Sequence, residues 1–109
     1  MKSKLVAAAV STIFLAASVI DADAAGAAAA IHMKQQTFTP AKMVVATGAT
    51  VSWINDDTVP HSVTADDGRF DSGPILPGQS FKWTSGTVGD VAYHCIYHPS
   101  MTATLTVRK

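Results

Sequence analysis

Val91-Ala92-Tyr93-His94-Cys95-Ile96-Tyr97-His98-Pro99-Ser100-Met101 is the stretch that decides how this chain is read. Val91–Cys95 has the length and composition of a strand, entered from the turn signal Gly89-Asp90. On the far side, Met101, Ala103, Leu105 and Val107 recur at period two, the spacing of a strand with one buried face. The connection holds Cys95, His98 and Met101 in the pattern Cys-x2-His-x2-Met. Cys95 ends one strand and Met101 opens the next. A short loop between them brings thiol, imidazole and thioether toward one point.

Working outward, the same texture continues. Ile31–Gln36 is a first strand candidate, Lys42–Ala46 resumes after Pro40, and Gly48 turns into Thr50–Asn55, where Val51 and Trp53 alternate with Ser52. Asp56-Asp57 breaks that run. His61–Ala65 and Gln79–Thr84 follow, the latter placing Phe81 and Trp83 on one side. Residues 25–109 hold eleven Thr and eight Val but only two Leu and no Glu, a balance that favours strands over helices. Short strands at this spacing predict an all-β sandwich or barrel. Met33 and Met43 read as core filler.

The N-terminal region reads as an address. Lys2 and Lys4 precede the uncharged apolar run Leu5–Ile20, and Ala22-Asp23-Ala24 offers small residues for a peptidase. Sixteen residues fall short of the roughly 20 that span a bilayer. We therefore expect a secretory signal peptide at 1–24, a flexible Ala-rich tail at 25–30, one domain at 31–109, and no membrane insertion of the mature chain. Export leads to an oxidising compartment. Eight Lys/Arg balance eight Asp/Glu, which argues against a nucleic-acid binder. A single cysteine excludes an internal disulfide.

Two imidazoles, one thiolate and a weak thioether make up the ligand set of a blue-copper site. The loop supplies Cys95, His98 and Met101, and a second histidine must come from elsewhere. His61, at the start of a strand candidate, fits best. His94 should point away from Cys95 because side chains alternate along a strand, and His32 has no partner at ligand spacing. A cysteine-protease reading leaves Met101 unexplained and needs a cleft that this length does not allow. A structural zinc site would have an improbable methionine ligand. Asp66, Asp67 and Asp71 lack the bidentate Glu of a common calcium loop and read as a solvated turn.

Trp53-Ile54-Asn55, Pro60-His61 and Tyr93-His94-Cys95-x-x-His98-Pro99-x-Met101, together with Phe38-x-Pro40 and the Leu76-Pro77-Gly78 neighbourhood, resemble the cupredoxins. These are the type 1 blue copper proteins of the plastocyanin/azurin group, and the likeness is to its amicyanin-like members. The resemblance covers residues 31–109. It implies a Greek-key β-sandwich and one copper ion held by His61, Cys95, His98 and Met101. It implies a periplasmic, monomeric electron carrier and not an enzyme. Its partners would be transient redox proteins of dehydrogenase or cytochrome type, met through an apolar rim of Val59, Pro60, Ile96, Tyr97 and Pro99. The alternative is a copper storage or delivery protein.

The family fold also implies that the Ser62 N–H donates to the Cys95 sulfur, with Ser62 and Asn55 tying the His61 and Cys95 loops together. Tyr97 stands where amicyanin-like loops commonly carry Pro, and its N–H predicts a second hydrogen bond to that sulfur. His98 is expected beyond the strand end, with its ring edge at the surface.

Overall fold

In the computed structural model, which describes residues 28–109, the alternating runs become eight strands. The expected signal segment 1–24, and residues 25–27 of the expected tail, lie outside the described residues. The strands are β1 (Ala28–Lys34), β2 (Thr37–Thr39), β3 (Lys42–Ala46), β4 (Thr50–Asn55), β5 (Thr64–Ala65), β6 (Ser80–Thr84), β7 (Gly89–Cys95) and β8 (His98–Arg108). They form two four-stranded sheets, β2-β1-β4-β6 and β3-β8-β7-β5, with no helix among the described residues. The chain changes sheet repeatedly, so β1 lies parallel to β4 and β3 parallel to β8 without a helical crossover.

The period-two patterns set the burial. In β4, Val51, Trp53 and Asn55 are buried while the residues between them are not. In β8, Met101, Leu105 and Val107 face inward, and in β7 Val91, Tyr93 and Cys95 do so. The two inner faces meet around an aromatic cluster. Trp53 packs edge-on to Tyr93 with ring centroids 5.5 Å apart, Phe38 meets Tyr93 at 4.8 Å, and Phe70 meets Trp83 at 4.8 Å. Edge-to-face geometry suits the ring quadrupoles and adds to the area buried. Met33 lies in this core and Met43 packs against it, as expected of filler.

Four expectations about local structure need correction. Ala28–Ala30, expected in the flexible tail, belong to β1, where they pair with Thr50–Ser52 through the backbone and need no side chain to do so. Gln35 and Gln36, expected at the end of the first strand, are the two-residue turn between β1 and β2. The run His61–Ala65 is strand only at Thr64–Ala65, and His61 instead makes an isolated bridge with Ile75. His98, expected beyond a strand end, opens β8 directly opposite Cys95, so the loop is a tight hairpin; the residue is still partly exposed, in keeping with a ring edge at the surface.

Candidate metal centre

A register break in the β7–β8 hairpin shapes this end of the molecule. His94 pairs with Thr102, but Cys95 pairs with His98, so Pro99, Ser100 and Met101 have no partner across the ladder. Such irregularities bend a strand and re-aim its side chains. Met101, just after the break, is turned inward and buried. Cys95 is fully buried at the end of β7.

His61 reaches the same place from the other direction. It is fully buried and fixed by paired backbone bonds, its N–H donating to the Ile75 carbonyl at 3.1 Å and the Ile75 N–H to the His61 carbonyl at 2.7 Å. Its Nδ1 stands 3.7 Å from the Cys95 Sγ, and the Nδ1 of His98 stands 3.6 Å from the same sulfur. The three donor atoms lie within 4.8 Å of one another. The imidazole rings cross edge to face, with centroids 5.0 Å apart.

These distances test whether a metal ion fits. Zinc, the best-calibrated case, bonds imidazole nitrogen at about 2.0–2.1 Å and thiolate sulfur at about 2.3 Å; two such bonds opening at 120° hold their donors roughly 3.7 Å apart. One thiol proton could serve only one of the two rings, whereas a shared cation explains both equal separations. Two nitrogens and a soft sulfur converging on one point are a donor set that suits copper.

The surroundings hold the donors still. The Ser62 N–H donates to the Cys95 sulfur at 3.3 Å, as expected. The Ser62 Oγ accepts the Ile96 N–H at 2.9 Å, tying the two loops together. Asn55 acts within the His61 side only: its Nδ2 donates to the Val59 and Ile75 carbonyls at 2.9 and 2.8 Å, and its Oδ1 accepts the Asp57 N–H at 2.9 Å. The second N–H···S bond expected from Tyr97 is not formed. Ile96 and Tyr97 are the tip of the hairpin, and among the described residues Ser62 is the sole backbone donor to the sulfur.

Asp57 is the participant that sequence reasoning missed. Read only as the end of a strand, it accepts a hydrogen bond from His61 Nε2 at 2.7 Å, on the ring edge opposite the sulfur. Burial pushes its carboxyl up, but hydrogen bonds from the Gln36 amide, the His61 ring and the Gln35 amide outweigh this and hold it down at about 2. A carboxylate fixes the tautomer of the imidazole it accepts from and leaves Nδ1 free as a ligand. The signal was available: an acidic residue four positions before a candidate ligand, inside one loop.

The other two histidines stand apart, as expected. His94 pairs with Asp66 and His32 with Asp56, each at 2.6 Å. Asp67 binds Arg69 at 2.7 Å on the exposed turn.

Comparison with known proteins fixes the family. A family model described as a cupredoxin-like domain matches residues 5–107. This chain is a member of the cupredoxin-like family. It is 29% identical over 84 residues to a plastocyanin of Scenedesmus fuscus, covering 65% of this chain and 86% of that protein. Among solved structures, the novel purple cupredoxin from Nitrosopumilus maritimus is similar at 28% identity, with a TM-score of 0.66, 72% of this chain covered and 98% of the other. The Cu(I) form of an amicyanin variant matches at 27% identity, with a TM-score of 0.71, 78% of this chain covered and 85% of the other. A copper-containing nitrite reductase from Thermus scotoductus shares the fold at 22% identity, this cupredoxin spanning 22% of that longer chain. The resemblance drawn from Tyr93–Met101 is thus the correct one, and copper is the family's cofactor.

Proposed function

We propose that this cupredoxin carries single electrons between redox proteins on one type 1 copper ion, with His61, Cys95, His98 and Met101 as ligands. The observation that carries this reading is the convergence of the His61 and His98 Nδ1 atoms on the Cys95 sulfur at 3.7 and 3.6 Å. Bound there, copper would supply a one-electron couple between Cu(I) and Cu(II).

The chain's own groups account for the rest. Cys95 binds as thiolate and offers a covalent route into β7. The Ser62 N–H draws electron density from that sulfur, which favours the reduced ion. His61 and His98 would hold the ion through their Nδ1 atoms, and the thioether of Met101 would be the fourth, weaker donor, one that suits Cu(I). Four protein donors would leave no place on the ion for a substrate or an activated water. That supports a carrier and not an enzyme. A site held by backbone pairs, the Asn55 bonds and the Ser62–Ile96 bond changes shape little when an electron arrives.

Delivery needs an exit. His98 is half-buried, with exposed Ile96, Tyr97 and Pro99 beside it in the chain; exposed Val59 and Pro60 precede His61, whose ring centroid is 5.0 Å from that of His98. On this reading the rim docks partners of dehydrogenase or cytochrome type in small, short-lived contacts. The mature chain would work as a monomer in the periplasm, delivered by the segment at 1–24.

Electron exchange with a small cytochrome tests the function. The copper-loaded protein should oxidise or reduce it reversibly over many cycles without losing the ion. Retention of Cu(I) alone, with ready transfer to a chelator and no electron exchange, would favour storage or delivery instead.

A further inference from the structure

The turn between β1 and β2 is unusual. Gln35 and Gln36 are its two central residues, and both have positive φ, 54° and 56°. Two-residue hairpins of this twist normally use Asn-Gly or Gly-Gly, because side chains are strained there. Such residues persist where their surroundings over-determine them. Here a single carboxylate holds both turn amides, and the Thr37 hydroxyl donates to the Gln35 carbonyl at 3.1 Å. The Gln35 N–H donates to Asp57 Oδ1 at 2.8 Å and the Gln36 N–H to Asp57 Oδ2 at 3.0 Å. The same Oδ2 accepts from His61 Nε2 at 2.7 Å. A backbone bond from the Asp56 N–H to the Met33 carbonyl, 2.9 Å, clamps the loop to the end of β1 beside it.

We infer that the Gln35–Gln36 turn is a working part of the metal centre, with Asp57 as the positioning residue through which it sets the orientation and donor strength of the His61 ring. Three donors converge on one carboxylate. The two amides fix where it stands, and its charge strengthens the imidazole as a donor. A stronger donor favours the more highly charged oxidised ion. By fixing where that charge stands against the ring, the backbone of a hairpin remote in sequence tunes the couple; without the two amides the carboxylate loses its hold on His61 Nε2. The inference rests on the copper reading for the identity of the ion, but not for the linkage between turn, carboxylate and ring.

Two arms separate the linkage from the copper chemistry. In the metal-free full chain, nuclear magnetic resonance should show the Gln35 and Gln36 amides protected from solvent exchange, although both residues are exposed, and His61 in one tautomer with the proton on Nε2. Asp57→Asn should cut that protection at least tenfold and release the tautomer. Amides that exchange as fast in the parent as in the variant overturn the proposal, whether or not copper binds.

In the copper-loaded full chain, Asp57→Asn should shift the ratio of Cu(II) to Cu(I) affinity about tenfold toward Cu(I), or roughly 59 mV for one electron. Inserting one glycine between Gln35 and Gln36 moves the amides without touching the loop of His61, and should raise the potential too. The double variant Gln35→Gly, Gln36→Gly keeps both amides and should leave it unmoved. An insertion variant with the parent potential and an unchanged His61 ring would show that the turn is mere hairpin. Failure to bind copper would sink the functional reading and leave the exchange experiment decisive for the linkage.

Discussion

Met101 is the proposed ligand whose replacement is most informative at the scale of one residue. Changing it to Gln substitutes a harder oxygen donor on a side chain of similar length. Met101→Gln should keep the copper and lower the potential, because the softer thioether favours Cu(I). Voltammetry checks the sign. Ser62 separates two roles that one residue combines. Ser62→Ala keeps the N–H···S bond but removes the acceptor of the Ile96 N–H. Urea unfolding of the metal-free protein should show a loss of about 1–2 kcal/mol, with the spectrum of the copper form nearly unchanged. The approach of His98 to Cys95 was legible because their spacing is local. His61 was legible only as the best of four histidines, since its approach depends on the His61–Ile75 bridge, which no local pattern announces. Asp57 was not, because a loop acid looks alike whether it faces water or a ligand. The Tyr97 bond failed because a free N–H in sequence says nothing of where a hairpin tip points it.

β4 ties its sheet to the loop that carries His61. It lies between β1 and β6, buries Trp53 and ends at Asn55, a buried amide spent on two carbonyls and one N–H of the loop that brings in His61. Asn55→Ala leaves those groups unpaired and should cost about 2–3 kcal/mol in denaturant unfolding, with weaker copper retention as a consequence. Opposite it, β7 buries Tyr93, and burial pushes that phenol up to about 12 from a usual 10.0. An acid whose folded value is raised leaves stability intact below the unfolded value and erodes it above. The metal-free protein should therefore lose stability as pH climbs from about 10 toward 12, and Tyr93→Phe should flatten that part of the curve. Strands with alternating Val, Trp and Leu were readable almost to the residue, as with Lys42–Ala46 and Thr50–Asn55. The opening of β1, Ala28–Ala30, was not, because an Ala run carries no alternation and its place depends on the parallel partner Thr50–Ser52. The short β5 was overextended because His61–Ser62-Val63 looks like strand yet is held by isolated bridges and side chains.

The whole molecule joins a thin sandwich to a site at one end. Stitching the β4–β5 loop to the β7–β8 hairpin, a bound ion should add to stability, by about 4 kcal/mol when free copper is a thousandfold above its dissociation constant. A matching rise in melting temperature with Cu(II) over the metal-free chain, in calorimetry, checks this; equal transitions would deny that the ion spans the two loops. The apolar rim makes a separate prediction. Ile96→Lys should slow electron exchange with a small cytochrome several-fold while leaving colour and potential in place. Both sheets and the ligand end were visible in outline from the sequence, since period-two burial and one cysteine loop constrain them; the order in which strands neighbour one another was set by long-range pairing that the patterns do not encode. The most direct test of the account is the visible and electron-spin spectrum of the oxidised, copper-loaded protein. It should be intensely coloured by thiolate-to-copper charge transfer with the narrow copper splitting of a type 1 site, and both features should vanish in Cys95→Ser. A pale protein with the broad splitting of ordinary Cu(II) would contradict a centre built on the sulfur of Cys95 and the rings of His61 and His98.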